Sequence, residues 1–184
     1  MEILPRIFSL TLALALAVSH VFASQATPYA GQEQRAIKAL SVDEIQSYLK
    51  GKGAGLAKAA ELNHYPGPAH VLELADQLEL SAQQKSRTEA IFQAMQADAI
   101  RWGKALVDKE QELDRRLASA AITAQELRTL LEEIGKLQAE VRRAHLQAHL
   151  QQRAILSVEQ VAKYDSLRGY GSGQGHRHSG HSGH

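Results

Sequence analysis

The chain of 184 residues has no cysteine, only four prolines, and one Trp, three Phe and five Tyr. The absence of cysteine excludes disulfide bonds, thiolate metal ligands and thiol catalysis. The shortage of aromatic residues disfavours a β-sandwich or a barrel, in which aromatic and β-branched residues are enriched. The formal net charge is only +1. This small charge argues against the basic field that nucleic-acid-binding proteins use, so we expect no nucleic acid partner.

The N-terminal residues 1–23 have the pattern of a secretory signal peptide. An apolar run over residues 7–18 is shorter than the about 20 residues that a transmembrane helix needs. Val21 and Ala23 occupy the −3 and −1 positions of a cleavage site. We expect cleavage after Ala23 and a mature protein in the bacterial periplasm, with an uncleaved anchor as the alternative.

Four short segments of the mature chain share one local pattern. Each has an aliphatic residue, then Ser or Thr, then two residues, then Glu or Gln. This is the pattern of a capping box, in which the hydroxyl accepts a hydrogen bond from the N3 backbone and the N3 side chain accepts one from the cap backbone. The boxes predict helices that begin after Ser41, Ser81, Thr123 and Ser157. Four such starts predict an all-α protein.

The segments between these starts predict two long amphipathic helices flanked by shorter ones. The long helices are expected over about residues 82–117 and 124–155, where apolar side chains recur with a period near 3.6. Their short connection predicts a long antiparallel helical hairpin with coiled-coil packing. So slender a pair cannot bury both faces alone, so the short helices or a second copy of the chain must cover the rest, and we expect a homodimer. The entry segment is expected to be partly helical around residues 32–40.

The composition divides the chain into four expected parts. The glycine-rich run Gly51–Gly55 is interpreted as a hinge, and the residues after Gly169 are of low complexity. The parts are a signal peptide (1–23), an N-terminal segment of short helices (24–67), the helical hairpin domain (68–168) and a disordered His/Gly-rich tail (169–184).

The Leu-Ser-x-x-Gln sequences at residues 80–84 and 156–160 resemble the LTxxQ motif of the Spy/CpxP family of periplasmic helical proteins, which includes heavy-metal-resistance and sensor relatives. Serine replaces the threonine of the motif and keeps the hydroxyl cap. The resemblance covers about residues 70–168 and does not explain the segment before them. It implies one of two activities: binding or sensing of divalent metal, or ATP-independent chaperone action by cradle-shaped dimers.

Two histidines of the second long helix are candidate metal ligands. His145 and His149 are four residues apart, so their Cβ atoms are expected about 5–6 Å apart on one helix face. Such a pair is a common half-site for zinc or nickel. The alternative is a pair of partly buried, hydrogen-bonded histidines. A third ligand would have to come from His64, His70 or a carboxylate such as Glu73.

The tail carries a second group of candidate ligands. A flexible Gly/Ser-rich chain allows several imidazoles to converge on one zinc, copper or nickel ion. A solubilising tail with incidental metal affinity is the alternative. The histidines concerned are His176, His178, His181 and His184.

Motifs of the common hydrolases and nucleotide-binding proteins are absent from the sequence. The run from His145 to His149 lacks the glutamate of an HExxH metalloprotease, and Gly51–Gly55 lacks the Walker spacing. We therefore expect no enzyme. The leading expectation is a periplasmic divalent-metal-binding protein of envelope heavy-metal resistance or sensing. The alternative is a Spy-like holdase of the envelope stress response, with unfolded clients or a membrane sensor protein as partners.

Overall fold

The computed structural model of this protein describes residues 27–170. Residues 27–33 consist of turns and belong to a unit of their own, and all the described helices lie in residues 34–170. The expected signal peptide and the four tail histidines lie outside the described residues.

Regular secondary structure in residues 27–170 is entirely helical, without a strand. This confirms the expected all-α class. Within the same residues, none of the helices has the length and the apolar character needed to cross a membrane. The helices are α1 (Val42–Leu49), α2 (Lys58–Glu61), α3 (Pro68–Glu73), α4 (Ala82–Ala118), α5 (Ala124–Arg153) and α6 (Val158–Leu167).

The four predicted capping boxes are all present. At Ser41, Ser81, Thr123 and Ser157, the hydroxyl accepts from the backbone N–H three residues later, and the N3 side chain accepts from the cap backbone. Pro68 is the first residue of α3, where the N–H that proline lacks would have had no helical partner. The starts of α1, α3, α4, α5 and α6 are therefore set by local sequence.

The two long helices α4 and α5 pack against each other. Between them lies a buried apolar cluster of Leu106, Ile134 and Val141. Side-chain contacts between the helices pair Thr88 with Gln152 at 3.1 Å, Lys109 with Glu133 at 2.8 Å, and Arg116 with Glu126.

A second apolar cluster joins α3 and α6 to the ends of the long helices. Its buried members are Val71, Leu78, Leu156, Val161 and Tyr164. Tyr164 is fully buried and is the largest of the fully buried side chains. This cluster holds α3 and α6 close to the α4 start and the α5 end, which places their residues beside the α5 histidines.

The glutamines of the two Leu-Ser-x-x-Gln sequences bind each other. Gln84 Nε2 donates to Gln160 Oε1 at 2.7 Å, and Gln160 Nε2 donates to Gln84 Oε1 at 3.2 Å. Gln84 Nε2 also donates to the backbone carbonyl of Ile155, and Gln160 Nε2 donates to that of Leu78. The starts of α4 and α6 are thus joined by one hydrogen-bonded unit.

The end of α1 lies directly on α4. A β-carbon at Gly103 would overlap the carbonyl of Tyr48, so only glycine allows this close approach. Immediately after α1, Gly51 has a φ of 62° and packs near Gln96 and Ile100. This contact positions the glycine-rich run Gly51–Gly55 next to α4.

The expected helix around residues 32–40 is wrong, because these residues form turns and bends. The Lys38 backbone N–H donates to Asp114 Oδ1 at 3.2 Å, and Lys38 Nζ lies 3.0 Å from Asp114 Oδ2. Ile37 and Leu40 are buried. Tertiary hydrogen bonds and burial therefore override the helix propensity of this segment.

Candidate functional site

A cavity of about 550 Å³ lies where the glycine-rich run, α2 and the start of α3 meet the long helices. Its lining is mostly apolar. It contains both candidate histidines of α5 together with residues that follow α6. Among the lining residues are Gly51–Gly55, Glu61, Leu62, Gly67, His70, Phe92, Met95, His145, His149, Arg168 and Tyr170.

His145 is buried in this cavity, and one of its ring nitrogens has no hydrogen-bond partner among the described residues. The side chain is only 3% exposed, and its Nε2 makes no hydrogen bond with the described residues. Burial, together with the nearby His149, lowers the pKa of His145 below its ordinary value. The ring is therefore uncharged at neutral pH, and one of its nitrogens keeps a free lone pair.

His149 is held in one orientation by the backbone. Its Nδ1 lies 2.7 Å from the carbonyl oxygen of Tyr65, and since a carbonyl only accepts, Nδ1 carries the proton in the neutral ring. The lone pair is then on Nε2, close to Gly67, where a β-carbon would lie 3.1 Å from this nitrogen. An imidazole that donates its other N–H to a carbonyl is typical of metal-binding histidines.

Glu61 of α2 connects the elements around the cavity. Its Oε1 accepts a hydrogen bond from the Tyr164 hydroxyl and lies 3.5 Å from His70 Nδ1. Its Oε2 lies 3.7 Å from Nδ1 of His149. Burial and the hydrogen bond to Glu61 raise the pKa of Tyr164 above its ordinary value, so the phenol remains a donor. Glu61 thus ties α2 to α3, α5 and α6.

Of the three candidate third ligands, only one lines the cavity. His70 lines the cavity, whereas His64 pairs with Asp165 through a 2.7 Å contact and does not line it. Glu73 does not line the cavity either. Sequence reasoning missed Glu61, because a single glutamate on a four-residue helix belongs to no motif or spacing pattern.

The donors present in residues 27–170 do not make a complete metal site by themselves. Within this part of the chain, no three His, Cys, Asp or Glu side chains are grouped so that they could hold one ion. The described residues therefore provide a histidine pair with neighbouring carboxylate and imidazole groups. Comparisons of the chain with protein-family models, with curated proteins and with solved structures found no match.

Proposed function

We propose that this protein binds a divalent transition metal in the periplasm, as part of envelope heavy-metal resistance or sensing. In this proposal the signal peptide 1–23 exports the chain, and the resemblance to Spy/CpxP relatives reflects common ancestry. The observation that supports it most is the buried histidine pair, in which the rings of His145 and His149 line one cavity. Imidazole is a ligand that zinc, copper and nickel all accept.

The tail histidines are proposed to complete the ligand set. Tyr170, the last described residue, lines the cavity, so the tail begins at its edge. His176 follows six residues later, and six residues span at most about 20 Å when fully extended. The tail imidazoles are therefore within reach of the pair and would add the donors that residues 27–170 lack.

A long antiparallel hairpin in a homodimer is proposed as the architecture that carries this site. Along α4, residues 88, 109 and 116 contact residues 152, 133 and 126 of α5, respectively. The residue numbers increase along α4 while those of their partners decrease along α5, which favours the antiparallel arrangement. Leu131 and Leu150 of α5 are each about half exposed. Such side chains on a long helix favour coverage by a second copy of the chain.

Calorimetric titration of the mature protein with zinc, copper and nickel tests the metal proposal. His145→Leu replaces the imidazole by an apolar side chain of similar size, and it breaks no hydrogen bond of Nε2, which has no partner within the described residues. We expect it to weaken binding by about tenfold or more, equivalent to about 1.4 kcal/mol. Replacement of all four tail histidines by serine is expected to weaken binding further.

His64→Ala is the matched control, since His64 is exposed and lies outside the cavity. It is expected to leave the metal affinity unchanged. Negligible heats with all three metals would refute the proposal, as would equal affinities for His145→Leu and His64→Ala.

A Spy-like holdase is the second candidate function. The exposed apolar side chains on the long helices, Leu117, Leu131 and Leu150, are the observation that favours it, because clients bind through exposed apolar patches. This function would be favoured if the protein suppressed the aggregation of an unfolding client without ATP and gave no heat of binding with zinc, copper or nickel. Absence of suppression at several-fold excess would count against it.

A further inference from the structure

The cavity is much larger than a metal ion requires. Metal–nitrogen bonds are about 2.0–2.1 Å long, so an ion and its ligand atoms fill only a small part of about 550 Å³. Cavities of about 300–1,000 Å³ that are mostly apolar and contain a few polar groups are typical of sites for small organic molecules. The remaining space needs an explanation that is independent of the metal.

One part of the lining is apolar and open to solvent. Phe92 and Met95 are half-buried and three residues apart on α4, which places them on one face of the helix. Leu62 also lines the cavity and remains 52% exposed. An apolar body bound here would remove these side chains from water, which is favourable in proportion to the area covered.

The charged part of the lining is mainly positive. Lys50, Lys52, Lys58 and Arg168 contribute cations, whereas Glu61 is the only carboxylate that residues 27–170 place in the lining. None of the three lysines forms a salt bridge within residues 27–170. The cavity therefore attracts a negatively charged group.

Two buried polar atoms of the lining also have no hydrogen-bond partner. They are Nε2 of His145, whose side chain is almost fully buried, and Nε of Arg168, which lies 3.6 Å from Glu61 Oε1 without a hydrogen bond. A buried polar group without a partner is costly. A carboxylate accepts hydrogen bonds from both a guanidinium and an imidazole N–H, so it is suited to satisfy these groups.

We propose that the cavity binds a small organic carboxylate with an apolar body, of the kind represented by a medium-chain fatty acid anion. Its carboxylate faces the lysines and Arg168, and its apolar body covers Phe92, Met95 and Leu62. This binding needs no metal and is therefore separate from the function proposed above.

The test is calorimetric titration of the full mature chain, freed of metal with EDTA, with three probes. Octanoate carries both the charge and the apolar body, acetate carries only the charge, and octyl glucoside carries only the apolar chain. We expect one octanoate to bind per chain, and at least about tenfold more tightly than either of the other two, a factor equivalent to about 1.4 kcal/mol. Absence of octanoate binding, or equal binding of octyl glucoside, would overturn the proposal.

Two pairs of surface variants locate the binding. Lys52→Glu and Leu62→Asp change exposed cavity residues, and Lys85→Glu and Val158→Asp make the same kinds of change at exposed positions outside it. We expect each cavity variant to weaken octanoate binding by about fivefold or more, and the controls by less than twofold. Equal effects of cavity and control variants would exclude this site.

The two proposals fail independently. If the chain binds octanoate but gives no heat with zinc, copper or nickel, the metal function is refuted and the carboxylate site is retained. If it binds metal but not octanoate, the carboxylate site is refuted and the metal function is retained.

Discussion

At the scale of single residues, the buried polar groups are the most informative feature of this protein. Most buried polar side chains in proteins have partners, and here Thr88 and Gln152 bind each other across the long helices. The Nε2 atom of His145 has no partner within the described residues, and the carboxyl group of Glu110 on α4 is buried as well, at only 8% exposure. His145 lies in a cavity, which suggests a ligand. Glu110 lines a smaller cavity of about 360 Å³ with Lys38, Leu113 and Asp114, and we assign it no binding role.

Glu110→Gln is predicted to stabilise the protein at neutral pH. Burial raises the pKa of Glu110 above its ordinary value, so the folded state holds this proton to higher pH than the unfolded state does. Above the raised pKa the carboxylate is ionised in both the folded and the unfolded state. Because only the folded state buries this charge, its ionisation destabilises the fold. We expect the free energy of unfolding to rise by up to about 1 kcal/mol at pH 7, measured by urea denaturation.

The pH dependence of the stability change shows whether it comes from the ionisation of Glu110. At pH 4 the carboxyl is protonated in the folded protein, and the difference between Glu110→Gln and the unchanged chain should shrink. Glu89→Gln, at an exposed position of α4, should alter stability at neither pH. A difference for Glu110→Gln that is larger at pH 4 than at pH 7 would contradict the prediction.

At the scale of helices, the capping boxes differ in what their N3 side chains do. In α1 the Glu44 carboxylate accepts hydrogen bonds from Ser41, and it makes none with another helix of residues 27–170. In α4 and α6 the N3 residue is glutamine, and its amide N–H groups reach the other helix start as well. A glutamate also accepts from the cap backbone, but it has no N–H to donate. The choice of glutamine at Gln84 and Gln160 therefore has a tertiary reason.

Gln84→Glu is predicted to destabilise the protein although it keeps the capping box. The change removes the donors to Gln160 Oε1 and to the Ile155 carbonyl, and it places a carboxylate against an oxygen atom. Loss of two partly buried hydrogen bonds is expected to lower the free energy of unfolding by about 1–3 kcal/mol. Thermal or urea unfolding measures the change.

Glu44→Gln is the matched control for this prediction. It exchanges the same two residue types at the same N3 position, but in a box whose N3 side chain makes no hydrogen bond with another of the described helices. We expect it to change the free energy of unfolding by less than about 0.5 kcal/mol. Equal effects of the two substitutions would show that the Gln84–Gln160 pair contributes nothing beyond the cap.

At the scale of the whole molecule, the proposed homodimer is tested by the mass of the protein in solution. Leu131 and Leu150 of α5 are each about half exposed and lie 19 residues apart, about five helical turns. We predict that light scattering of the purified mature protein gives twice the mass of one chain. Leu131→Asp combined with Leu150→Asp is expected to shift the mass to that of a monomer, because charged groups at an apolar interface are strongly unfavourable.

Lys85→Glu, at an exposed position of α4, is the control for the mass measurement and should leave it unchanged. A single-chain mass for the unaltered protein across the accessible concentrations would contradict the dimer. The cavity is formed by residues of one chain, so the metal and carboxylate proposals do not depend on this result.

The sequence by itself determined the helical class and the starts of the capped helices, because a capping box needs only residues three apart in the chain. It also identified His145 and His149 as neighbours on one helix face for the same reason. Only the tertiary structure decided that Glu61, His70 and Arg168 lie beside them, and that residues 32–40 form turns instead of a helix. These outcomes depend on contacts between residues 76 to 103 positions apart, which the packing of the long helices creates and no local pattern encodes.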